Sequence, residues 1–246
     1  MKFSARGVAA ALFVVVVAGV CVRLGFWQLD RLAQRRARNA AIEAATRLPP
    51  LTLTPARFDS MRGDPQAYAW RRVRAAGRYD HTRDLVLRGK AREGMPGVQI
   101  ATPLILSDGR AVVVLRGWAS SPDAGTVDAR ALQLRNPNVE VEGLLQPIGA
   151  EADRGLPAAG RAGADTTWRR LNLLALRDRQ PGVQLLPLSI QRLDTDRSDD
   201  PAAALPMPEI SEGSHLSYAV QWFSFAFIAV AGFLIVAFRR KPRPAP

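Results

Sequence analysis

The chain of 246 residues contains one cysteine and two histidines. Cys21 lies inside an apolar run, so the remainder has neither a disulfide nor a CxxC pair. That excludes the usual thiolate zinc or copper site. With only His81 and His215, a three-histidine metal site within one chain is excluded too. The sequence also lacks GxSxG, a P-loop and HExxH. His81 stands in "YDHTRD" among turn formers and reads as a solvated turn histidine, and no spacing favours a carboxylate pair. The expectation is a protein that is not an enzyme. Helix-turn-helix spacing, zinc-finger spacing and an RNP-like aromatic motif are likewise missing, which argues against a nucleic-acid partner.

Charge is abundant but unevenly placed. The net charge is +12, from 34 Lys and Arg against 22 acids. Six of the basic residues lie in the first seven and last eight positions, so the stretch between holds 28 against the same 22 acids, a net of +6. A solvated, arginine-rich surface accounts for that excess. The tails suit the anionic cytoplasmic leaflet of a lipid bilayer.

Two apolar blocks occupy opposite ends. Tyr218 to Phe238 runs for 21 residues without a charge, which as a helix spans roughly 30 Å, the thickness of a hydrocarbon core. Val8 to Val22, after Lys2 and Arg6, has the look of a secretory signal. No small-x-small site follows it, "AGVC" has the large Val20 before the cysteine, and apolar character resumes from Leu24 to Trp27. A retained anchor is favoured, with Arg23 snorkelling and Trp27 in the interfacial belt.

The expected organisation is an N-terminal cytoplasmic tail (1–7), a first span (8–27) and a helical connector (28–47) ended by "LPP". An extracytoplasmic domain (48–205), a linker (206–217), a second span (218–238) and a basic cytoplasmic tail (239–246) follow. Arg239, Arg240, Lys241 and Arg243 after the second span point to both termini lying in the cytoplasm. Arginines 23, 31, 35, 36 and 38 after the first span point the other way.

Between the spans come short apolar runs punctuated by Gly, Pro and Asp, among them "RRVRAAGRYD", "GVQIATPLIL", "RAVVVLRGWAS", "TWRRLNLLAL" and "VQLLPLSIQRL". "SDG" before Arg110 is a hairpin-turn signal. The fold class is a membrane protein: two transmembrane helices flanking a mainly antiparallel β domain with minor helix (α+β), a sheet that can curl into a barrel-like shape. Residues 150–164 read as a loop, "TWRRLNLLAL" as strand, and residues 194–209 as a linker toward the membrane.

His215 stands out by position. Ser214 can cap the helix start through its hydroxyl. His215, Tyr218 and Trp222 then fall at i, i+3 and i+7, a stripe descending into the bilayer. An interfacial anchor explains such a stripe; so does a neutral imidazole ligating a metal at membrane depth, with haem iron the easiest to satisfy because it needs only one or two protein ligands.

Taken in order, "LGFWQLDRLAQRRARNA", "GMPGVQIATPL", "VVVLRGWAS", "VEGLLQ" and "HLSYAVQWFSFA" resemble the Surfeit locus protein family of cytochrome c oxidase assembly factors. Trp27, Gln28 and Arg31 match its first motif, Arg116, Gly117 and Trp118 its central one, and His215 its histidine before the second span. The sequence departs from the family at Gly213 and Ser214, where two asparagines are usual. It departs again at Gln221, usually threonine, and at Arg31, usually lysine. The resemblance implies a haem a chaperone with His215 as axial ligand of the iron. It also implies partners: the largest subunit of the oxidase and the haem a synthesis enzymes. Tyr218, Trp222 and Trp27 are the expected packing groups, and Arg31, with Arg23, the candidate for a propionate. The alternative expectation is a non-catalytic membrane scaffold that holds assembly intermediates and binds no cofactor. "RGW" itself reads either as a core strand end or as a docking surface.

Overall fold

The computed structural model describes residues 5–128, 130–149, 156–157, 166–194, 199–208 and 210–239. They fall into two compact units, one made of residues up to Ala41 together with those after Pro208, the other of Ile42–Pro208. Helix α1 (Ala5–Arg47) and helix α4 (His215–Arg239) dominate the first unit. Both contain stretches long and apolar enough to cross a membrane, as expected of a membrane protein with a span near each end. After Gly25 the α1 sequence has no Gly or Pro until Pro49 and Pro50, which stop it.

The second unit is a closed five-stranded barrel. Strands β1 (Leu51–Thr52), β2 (Arg72–Tyr79), β3 (Leu85–Arg92), β4 (Met95–Ile105), β5 (Ala111–Ser120), β6 (Asn138–Pro147), β7 (Leu156–Pro157), β8 (Thr166–Trp168) and β9 (Leu185–Arg192) form one sheet. Its closed part runs β2-β6-β9-β5-β4 and returns to β2 through Arg78 opposite Ile105 and Tyr79 opposite Leu104. All pairings in the ring are antiparallel except β5 with β9. The hairpin between β4 and β5 turns at Asp108 and Gly109, whose φ of 82° is the left-handed conformation glycine permits. Alternation sorts the side chains: on β2, Val73, Ala75 and Tyr79 are buried while Arg74, Ala76 and Arg78 face out. Helix α2 (Pro55–Gly63), capped by the Thr54 side chain, adds Phe58 and Met61 to the same interior cluster. A second cluster packs helix α3 (Leu173–Arg179) and Leu205 against Trp118, Trp168 and the outward faces of β3 to β5.

Two expectations about the elements are corrected, and one about His81 below. "TWRRLNLLAL" is strand only to Trp168; Asn172 then caps α3 by accepting from the Ala175 N–H at 2.9 Å, and Leu176 is buried. Residues 199–208 are not a loose linker. They strap β5, with reciprocal backbone hydrogen bonds between Trp118 and Ala203 at 2.7 and 2.9 Å, and Ala202 and Leu205 are buried. The expected loop at 150–164 lies outside the described residues except for β7, as do residues 195–198 and 209 of the expected linkers and residues 1–4 and 240–246 of the two tails.

The interior is not wholly apolar. Arg116, fully buried, bulges from β5 between Leu115 and Gly117, paired to Ala101 and Ile100 respectively. Its Nε and Nη2 donate to Asp200 of the strap at 2.9 and 2.7 Å. Arg192 donates to the carbonyl of Arg116 at 2.6 Å and lies 3.8 Å from the same carboxylate. Thr102 joins this pair to Asp84, its hydroxyl bonded to the carboxylate and 3.5 Å from Arg116. His81 faces Asp84 through Nδ1 at 3.1 Å and accepts the Leu134 N–H at Nε2, 3.3 Å away. It is therefore a fixed, Nδ1-protonated ring rather than a solvated turn residue. Arg116, Gly117 and Trp118 are all buried, so the "RGW" run is core.

Burial raises the Asp84 carboxyl above the usual carboxylate range, against the lowering by the Thr102 hydroxyl, His81 and Arg116. Between the ordinary and the raised value the folded chain binds more protons than the unfolded one, so this group's stabilisation is lost as pH climbs through that window. Asp84→Asn keeps an acceptor and carries no charge. Its stability relative to wild type should rise from pH 4 to pH 7 in urea unfolding; a constant difference excludes burial as the governing effect.

Candidate functional site

In the first unit the start of α4 is tied to α1 by polar contacts. The Ser214 carbonyl accepts from the Tyr218 N–H at 3.1 Å and the Ser217 hydroxyl at 2.8 Å, so Ser214 closes the first turn through its backbone. Ahead of it, Arg36 grips Glu212 with both arms of its fork, at 2.7 and 2.9 Å. Asn39 donates to the Ser211 carbonyl at 3.1 Å. The hydrogen bond to Arg36 holds the Glu212 carboxyl below its usual range.

His215 is held one turn further in. Its Nδ1 lies 2.9 Å from Oε1 of Gln28. An amide oxygen can only accept, so Nδ1 carries the donated proton, and in the neutral tautomer this selects, Nε2 is the nitrogen with the lone pair. The ring is half-buried and stands beside Gly213, whose φ is 69°. This is the arrangement metal-binding histidines use, one nitrogen anchored to an acceptor and the other available. Gln28 belongs to the first motif but was not among the expected site residues; 187 positions separate it from His215.

On either side of this pair the helices carry a seam of small and buried residues. Cys21, Gly25 and Leu32 lie on the α1 side, Ala219 and Ala226 on the α4 side. Gly25 admits the Phe223 ring where a Cβ would come within 2.6 Å of it. Phe26 meets the same ring edge-on, centroids 5.4 Å apart.

The expected site residues are distributed on either side of this seam. Trp222 is half-buried and stacks edge-on with Phe225 at 5.9 Å. Tyr218 is 48 % exposed and Trp27 43 % exposed, each on an outer face of its helix. Trp27 neighbours Gln28 but points about 100° round the helix from it, and its observed partner is Arg31, whose guanidinium sits 5.6 Å from the ring centroid. Arg31 also donates to Gln34 at 3.1 Å. The structure thus brings His215 to Gln28 and Arg31 to Trp27, with Tyr218 and Trp222 on the α4 flank.

Comparison with known proteins adds a family. Residues 15–227 match the model of the SURF1 family. An uncharacterized SURF1-like protein of Mycobacterium bovis is 28% identical over 233 residues, covering 91% of this chain and 80% of its own. A SURF1-like protein of Rickettsia felis is 25% identical over 250 residues, covering 94% and 96%. One from Monosiga brevicollis is 24% identical over 233 residues, covering 89% and 83%.

Proposed function

This chain belongs to the SURF1 family, known generally as oxidase assembly factors, and from that membership we propose that it binds haem a near the outer membrane face and aids its insertion into the largest subunit of cytochrome c oxidase. In this reading α1 and α4 span a bacterial inner membrane, both termini lie in the cytoplasm, and the barrel stands outside. The haem a synthesis enzymes act upstream. The protein itself transfers cargo and catalyses no bond change.

The observation that carries the reading is the His215–Gln28 hydrogen bond, which engages Nδ1 of a half-buried imidazole and so makes Nε2 the nitrogen through which the neutral ring can ligate a metal. Haem a, as cargo, brings an iron centre with an open axial position that such a nitrogen fills. Trp222 and Tyr218 offer aromatic surface beside it, and Trp27 with Arg31 offers a ring and a carboxylate-binding fork for a propionate. The isoprenoid tail belongs in lipid, because each CH₂ kept from water contributes about 0.8 kcal/mol. The exposed apolar faces of α1 and α4 supply that environment.

The test is haem content of the full chain, purified from cells that make haem a. His215→Ala should lose most of the bound haem at unaltered membrane level, and Gln28→Leu should give an intermediate loss because it frees the ring without removing it. Unchanged haem in His215→Ala removes His215 as ligand. A colourless wild-type preparation from such cells favours the scaffold instead.

A further inference from the structure

His81, the histidine of the barrel, is held from both sides. Its side chain is 13% exposed. Nδ1 donates to Asp84 at 3.1 Å, and Nε2 accepts the Leu134 N–H at 3.3 Å. Leu134 stands mid-way along segment 130–137, which completes the connection from β5 to β6 without helix or strand. The Leu132 carbonyl accepts from Arg116, and the Pro137 carbonyl accepts from the Tyr79 N–H at 2.9 Å. Between those two points the Leu134 side chain packs against the interior cluster, and its amide rests on the imidazole.

We propose that His81 is a proton-operated latch on segment 130–137: the neutral ring holds the Leu134 N–H, and the imidazolium releases it. Imidazole is the side chain whose ordinary charge change falls between about pH 5 and pH 8. Nδ1 already carries a proton, so a second one enters at Nε2 and turns the acceptor into a donor. Two N–H groups then face each other and the hydrogen bond is lost. The ring itself stays in place, because the Asp84 carboxylate keeps Nδ1 and favours the charged form. The surrounding charges leave the segment as the part that moves. On the ring's own turn Asp80 pairs with Arg83 at 3.1 Å. From β2 the Tyr79 ring lies 5.8 Å away, centroid to centroid, and burial pushes its phenol up, so it stays neutral. Thr102 of β4 bonds Asp84, and Arg116 of β5, behind Thr102, is matched by Asp200. The segment brings Arg130 and Arg135 but no acid to answer an imidazolium. Release lifts Leu134 from the interior cluster, and it does so whether or not cargo binds at His215.

The experiment is hydrogen exchange of the full-length chain in nanodiscs, read by mass spectrometry on peptides that contain Leu134 and corrected for the pH dependence of chemical exchange. Protection there should fall about tenfold or more between about pH 7.5 and pH 5.5, while the buried β5 amides of Val112 to Leu115 keep theirs. His81→Gln offers an amide oxygen that does not titrate and should hold protection at both pH values. Asp84→Asn removes the charge that favours the imidazolium and should move the loss of protection to lower pH. Protection unchanged by pH in the wild type overturns the latch. So does an equal fall in His81→Gln, or a fall shared by β5, which reports unfolding of the whole barrel. Should the glutamine fail to reach Leu134, Asp84→Asn decides: an unmoved midpoint overturns the latch.

Discussion

Asp200→Ala should unfold the barrel roughly 6–20 °C lower than wild type, about 3–5 kcal/mol of lost stability. The carboxylate is 2% exposed and is the group toward which two buried guanidinium ions converge. Arg116, fully buried, directs Nε and Nη2 at it, and Arg192 lies 3.8 Å away. Removing it leaves two desolvated cations whose remaining hydrogen-bond partners are neutral, the Leu132 carbonyl and the Thr102 hydroxyl for Arg116 and the Arg116 and Ala202 carbonyls for Arg192. The reverse deletion is milder. Arg116→Met leaves Asp200 with Arg192 and with the Ala202 N–H at 3.0 Å, and the methionine stem refills much of the volume. The order Asp200→Ala worse than Arg116→Met is the sharper expectation, read by thermal unfolding of the full chain followed through the buried tryptophans. A loss under about 1 kcal/mol for Asp200→Ala means that water or a rearranged partner already serves those arginines.

That network also marks where sequence reasoning stops. Arg116 could be placed at the end of an apolar strand, but a buried cation is intelligible only with its anion, and Asp200 is 84 positions away in a stretch whose Asp, Pro and Ala content reads as linker. The two long helices were legible because unbroken apolarity over about twenty residues has few other meanings. The β4–β5 hairpin was legible from Asp108-Gly109 because its signal is local. Closure of the sheet was less so, since it depends on two residue pairs between β2 and β4. Helix α2 escaped because "PARFDSMRG" buries only Phe58 and Met61, too few for a helical period to emerge. At the candidate site the sequence supplied His215 and the stripe below it, while Gln28, which fixes the ring, was visible only as a motif letter.

Gly117→Ala should be nearly as damaging as the loss of Asp200, about 3 kcal/mol, although it adds a single methyl group. A Cβ at this position would run into the carbonyl oxygen of Ala203, with the Ala203 carbon at 2.7 Å and the Ala202 carbon at 3.0 Å, all backbone atoms that no rotamer change can move aside. The strap must therefore lift from β5. Lifting it breaks the reciprocal Trp118–Ala203 hydrogen bonds, each contributing about 1 kcal/mol, and draws Asp200 away from Arg116. Both substitutions then release the same segment, so their effects should not add. The double variant Gly117→Ala/Asp200→Ala is expected to lose little more than Asp200→Ala alone, a coupling of at least about 1 kcal/mol in a double-mutant cycle. Full additivity would mean that the strap stays seated in each single variant and that the glycine and the carboxylate stabilise the barrel independently. Sub-additivity would identify residues 199–208 as one cooperative element, stapled to β5 by a bare backbone contact at Gly117 and by one buried carboxylate.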